Sequence, residues 1–99
     1  MYLAKQFRKD LAASLGKPVR VILFGSEARG EGTQFSDIDL FVILPNLEKE
    51  TLDIALDAAW EIGFEAGRVI SVIPAVESEL ERLSASPFFQ AVQREGIAA

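Results

Sequence analysis

The chain has 99 residues, a formal net charge of −5, and neither cysteine nor histidine. This excludes disulfides and thiolate or imidazole metal sites, so any metal must be held by oxygen ligands, which suits Mg²⁺ or Mn²⁺. The acidic excess of the second half argues against direct nucleic-acid binding, and no apolar run approaches the roughly 20 residues that span a bilayer.

Leu3, Phe7, Leu11 and Leu15 recur every four residues among lysines and arginines, predicting an amphipathic helix that ends near Gly16-Lys17-Pro18. The basic residues Lys5, Arg8, Lys9, Lys17 and Arg20 read as a solvated face or as a surface for a phosphate-bearing ligand or partner. Val21-Ile22-Leu23-Phe24 is short, β-branched and aromatic, and stops at Gly25, so it reads as a buried strand. Ser26 to Gly30 suits one helical turn, Glu31 to Gln34 a loop, and Asp37 to Leu44 a second strand stopped by Pro45-Asn46.

Leu52, Leu56 and Trp60, with Ala55, Ala59 and Ile62 beside them, predict a second helix with Gly63 placed to end it, its exposed face acidic. Trp60 is expected to pack inward. Arg68 to Ile73 is β-branched and bounded by Gly67 and Pro74, predicting a third strand. A short charged helix from Glu77 to Leu83 follows. Ser86-Pro87 then reads as an N-cap and first helical residue of a last helix carrying Phe88, Phe89 and Val92, closed by Gly96. Phe88-Phe89 suits either core packing or an exposed contact patch, and Ile97 to Ala99 an edge strand or a frayed tail. The expected whole is a single α/β (α+β) domain over residues 1–99. It is a small mixed sheet of three or four strands with helices on one face, the acid-bearing face being left open. No leader segment is read at the start, and a cytoplasmic location is expected.

Two features carry chemistry. Gly25 lets a phosphate approach the main chain where a strand enters a helical turn, and Ser26 adds a hydroxyl donor. Asp37 and Asp39, two apart on a strand, point to one face about 7 Å apart along the chain and repel unless a cation lies between them. Arg29 can reach a phosphate oxygen or pair with Glu27 or Glu31. Either feature alone also suits a plain turn or a solvated strand end. Together, with ten residues between Ser26 and Asp37 and a strand at each, they form a specific pattern.

In Phe24-Gly25-Ser26-Glu27-Ala28-Arg29-Gly30 and Ser36-Asp37-Ile38-Asp39-Leu40 the sequence resembles the nucleotidyltransferase superfamily that includes DNA polymerase beta and kanamycin nucleotidyltransferase. The words are most similar to its minimal members. The resemblance implies a nucleotidyltransferase fold, contacts from Gly25 and Ser26 to a nucleoside triphosphate with ATP as substrate, and Mg²⁺ (or Mn²⁺) on Asp37 and Asp39. It further implies a small helical partner of the HEPN class, a toxin to which such proteins act as antitoxins, some by transferring AMP to a tyrosine, and hence a hetero-complex or oligomer. Members usually add a third acid from the next strand. Here Ser71 aligns with it, and a serine cannot act as the carboxylate base; Glu65 and Glu77 are candidates to swing in. The expected activity is adenylyl transfer to a partner's hydroxyl, the alternative an inactive antitoxin that works by binding alone. The length leaves no room for the substrate lobe of an antibiotic-modifying enzyme.

Overall fold

A computed structural model of the chain describes residues 2–33 and 35–99; Met1, and Gln34 at the end of the expected loop, lie outside the described residues. Helix α1 (Tyr2–Leu15) is followed by strands β1 (Arg20–Phe24) and β2 (Ile38–Leu44), helix α2 (Lys49–Ala66) and strand β3 (Ile70–Val76). A 3-10 turn at Glu77–Glu79 leads into the short α3 (Leu80–Leu83), α4 (Pro87–Glu95) and β4 (Ile97–Ala98). The strands form one mixed sheet in the order β3-β2-β1-β4, with β2 and β3 parallel and the other pairs antiparallel. The expected edge strand at the end of the chain is β4, paired with Ile22 and Leu23.

Alternation along β2 divides its side chains between two cores. Ile38, Leu40, Val42 and Leu44 join Val21 and Leu23 of β1 under α1 and α2, where Phe7 and Leu11 are fully buried. A large apolar side chain buried this way contributes about 1.5–3 kcal/mol. Phe41 and Ile43 point the other way, into a second core with Ala75, Phe89 and Val92. Phe89 packs on Phe41 with ring centroids 5.3 Å apart, while Phe88 stays half-exposed, edge-on to Phe24 at 5.6 Å. Ser86 caps α4 by accepting from the Phe89 amide, with Pro87 in the first turn.

The face expected to be open is therefore half covered. Leu80 and Leu83 pack against the cluster of Phe41, Ile43 and Ala75, and α4 covers the β1 side, where Phe88 meets Phe24 and Glu95 pairs with Arg29.

Three further expectations are corrected. Helix α2 runs through Gly63 and ends at Gly67, whose φ of 67° lets the Gly67 and Arg68 amides donate back to Phe64 and Gly63. Gly63 serves close packing, because a Cβ there would come within 2.5 Å of the Arg68 carbonyl oxygen. The buried face of α2 is Thr51, Ala55, Ala59 and Ile62; Leu56 and Trp60 point outward, at 55% and 67% exposure. Finally, β3 continues through Pro74, which an edge strand tolerates because one side of it has no ladder to supply.

Candidate nucleotide and metal site

Strand β1 delivers Gly25 and Ser26 to the end of the sheet where β2 begins, and the antiparallel register sets Phe24 beside Asp39. Gly25 has a φ of 76°, a left-handed conformation that favours glycine. Its position also forbids a side chain, since a Cβ would sit 2.5 Å from Asp39 Oδ2. The chain then makes the expected turn: the Arg29, Gly30 and Glu31 amides donate to the Gly25, Glu27 and Ser26 carbonyls. The amides that open such a turn have no carbonyl within it to donate to, as at a helix start.

Asp37 is exposed just ahead of β2, and Asp39 is half-buried within it, on the face that Phe41 and Ile43 share. Burial pushes the Asp39 carboxyl above its ordinary range, and the neighbouring Asp37 charge pushes it the same way. A cation between the two removes the repulsion and replaces part of the lost hydration. The donor set thus fits a hard divalent ion.

The parallel register places Ser71 beside Asp39. Glu77 lies past the far end of β3, where it pairs with Arg20 at 3.6 Å. Glu65 belongs to α2, on the opposite face of the sheet. Among the described residues no group of three acidic side chains is placed to hold a metal. Arg29 is engaged by Glu31 at 2.6 Å through Nε and by Glu95 at 3.7 Å through Nη1, so a phosphate would compete with these carboxylates for it. A cleft of about 240 Å³ opens beside it, lined by Phe24, Gly25, Phe88 and Glu95 among others.

Sequence reasoning missed Arg68. Its guanidinium pairs with Glu27 and donates to the carbonyls of Thr33, at 3.2 Å, and Ser36, at 3.0 Å. Both charged side chains are mostly buried, at 15% and 17% exposure. One residue ahead of β3 thereby fastens the turn after Gly25 to the segment that presents Asp37. Gly32 completes the clamp, because a Cβ there would lie 2.7 Å from the Glu27 carboxyl carbon. No local pattern around Arg68 announces a contact that spans 41 residues.

Residues 4–94 match the family described as nucleotidyltransferase domain. The chain belongs to that family. It is 38% identical over 72 residues to a Methanocaldococcus jannaschii protein named a putative protein adenylyltransferase, and 33% identical over 67 residues to a second protein of that name from the same organism. These matches take in 70% and 64% of this chain, and 49% and 68% of the relatives, so the chain spans about half the length of the first. A crystal structure of a putative nucleotidyltransferase from Sulfolobus solfataricus superposes with a TM-score of 0.54 at 21% identity, over 98% of this chain and 76% of that one. The likeness bears on the nucleotidyltransferase fold, a mixed sheet with four helices. Among the described residues no helix is long and apolar enough to cross a membrane.

Proposed function

We propose that this nucleotidyltransferase domain transfers AMP from ATP to a hydroxyl of a partner protein. The observation that carries the reading is the closeness of Gly25 to Asp39, where an added Cβ would sit 2.5 Å from the carboxylate, bringing a phosphate-type turn and a carboxylate pair together. Asp37 and Asp39 hold Mg²⁺ (or Mn²⁺), which when bound neutralises phosphate charge. The Gly25 backbone and the Ser26 hydroxyl orient the β- and γ-phosphates. The cleft beside Phe88 receives the base. The acceptor oxygen attacks the α-phosphorus, the new P–O bond forms as the bond to pyrophosphate breaks, and the hydroxyl proton passes to solvent water. The chain acts chiefly by positioning and charge neutralisation.

The relatives named as protein adenylyltransferases support a protein acceptor. On this reading the acceptor is a tyrosine of a HEPN-class toxin, and the chain is the antitoxin. Ser71 beside Asp39 favours a second reading, an antitoxin that binds nucleotide and toxin without turnover. Intact-mass analysis of the partner after incubation with the chain, ATP and Mg²⁺ separates the two. An AMP adduct that disappears in the Asp37→Ala/Asp39→Ala variant supports transfer; neutralisation by that variant with no adduct from either protein refutes it.

A further inference from the structure

One face of α2 is apolar where a solvent-facing helix is ordinarily polar. Leu56, Trp60 and Phe64 follow one another at intervals of four residues, forming one row, and are 55%, 67% and 72% exposed. The Trp60 and Phe64 rings stack, their centroids 5.0 Å apart and their planes 10° apart. Stacking fixes the two rings without hiding them, which makes a rigid platform with little ordering left to lose on contact. Beside the row, α2 and α1 enclose a cleft of about 470 Å³ lined by Asp10, Asp57 and Glu61 together with Ser14 and apolar side chains. An aromatic ridge thus runs alongside an acidic trough.

Area and charge decide what covers it. Aromatic side chains present about 150–250 Å² each, so the row exposes several hundred Å², the scale of patches that mark interaction sites. That is about half of the roughly 800 Å² per partner in a standard interface. The remaining contact must fall on the adjoining surface, where α2 carries five acids, Glu50, Asp53, Asp57, Glu61 and Glu65, against Lys49 alone. A second copy would bring the same acids to a shared two-fold interface and be repelled. Phosphate surfaces are repelled likewise. A helix carrying an apolar stripe bordered by lysine and arginine is complementary in both respects.

We propose that the outer face of α2 docks a basic amphipathic helix of a partner protein, with its apolar side chains on Leu56, Trp60 and Phe64 and its cations in the trough between α1 and α2. The surface lies across the sheet from Asp39, so the inference does not rest on the nucleotide reading.

Trp60 is the only tryptophan, and its emission reports occupancy directly. The probes are a synthetic Leu/Lys helical peptide with apolar residues at i, i+4 and i+7, and its Leu/Glu counterpart. The Leu/Lys peptide is expected to shift wild-type emission to the blue and saturate, while the Leu/Glu peptide leaves it unchanged. Anisotropy of the labelled Leu/Lys peptide should show an affinity loss of at least tenfold in Leu56→Ser/Phe64→Ser and in Asp57→Lys/Glu61→Lys. Glu79→Lys/Glu81→Lys, which reverses charge elsewhere, should bind as wild type, and circular dichroism verifies that each variant folds. Equal binding of both peptides, undiminished affinity in the two α2 variants, or an emission shift with protein concentration accompanied by a doubled mass in sedimentation would overturn the proposal.

Discussion

Ser71 occupies the β3 position directly beside Asp39 of β2, so the carboxylate pair proposed to hold the metal has a hydroxyl, not a third acid, as its neighbour. Ser71→Asp is expected to tighten Mg²⁺ binding. It is also expected to raise any adenylyl transfer, by up to about 10²–10⁴-fold, the usual range of a general base. Ser71→Ala should leave transfer within about twofold of wild type. Single-turnover rates for the three proteins test this; a large loss in Ser71→Ala would mean that the serine itself takes part.

Gly25→Ala meets two obstacles, a positive φ and the Asp39 carboxylate at 2.5 Å from the new Cβ. Left-handed strain alone costs about 1–3 kcal/mol. Denaturant unfolding should show a loss of that order, and ATP titration a loss of binding exceeding any produced by Gly30→Ala. Gly30 has a φ of 74° but open space around its Cβ position, so it controls for backbone strain.

Arg68 and Glu27 form a mostly buried pair, and removing one partner strands the other. Arg68→Ala is expected to cost roughly 2–4 kcal/mol, somewhat less than for a fully buried pair. Arg68→Lys keeps the charge but not the fork that reaches Thr33 and Ser36, so it should recover only part of the stability and of the ATP affinity. Unfolding curves and titrations of both variants test the clamp. Wild-type ATP affinity in a folded Arg68→Ala would show that the loop needs no such anchor.

The strands and the turn after Gly25 were legible because their signals are local: a β-branched run ending at Gly25, and two aspartates at period two. Pairing was not. That Asp39 stands between Phe24 and Ser71 follows from register, and register from how the whole sheet assembles. Helix α2 misled for a physical reason, since its large apolar row Leu56-Trp60 competes with the small row Ala55-Ala59 for the sheet, and close packing selects the small one. Gly63 and Gly67 look alike in sequence, yet one admits the start of β3 and the other reverses the chain. Arg68 was invisible because its partners are distant and two of its contacts are backbone carbonyls.

Burial and Asp37 both raise the Asp39 pKa above the ordinary value of 3.8. The folded chain therefore holds the Asp39 proton more tightly than the unfolded chain. This contribution favours folding below the unfolded value and is lost as pH rises through the folded one. Asp39→Asn, of nearly the same shape, should accordingly melt above wild type at pH 7, with the gap closing as pH falls toward 4 and below. Mg²⁺ should raise the wild-type melting temperature at pH 7 and leave the variant unmoved. A gap independent of pH would contradict this account of the carboxylate.

Gly25, Ser26, Asp37 and Asp39 are proposed to form one site for a metal-bound nucleoside triphosphate. Calorimetric titration of ATP into the folded chain, with and without Mg²⁺, tests it most directly. The prediction is saturable binding that requires Mg²⁺ and vanishes in a folded Asp37→Asn/Asp39→Asn variant. Absence of binding by the folded wild type, or equal binding by that variant, would contradict it.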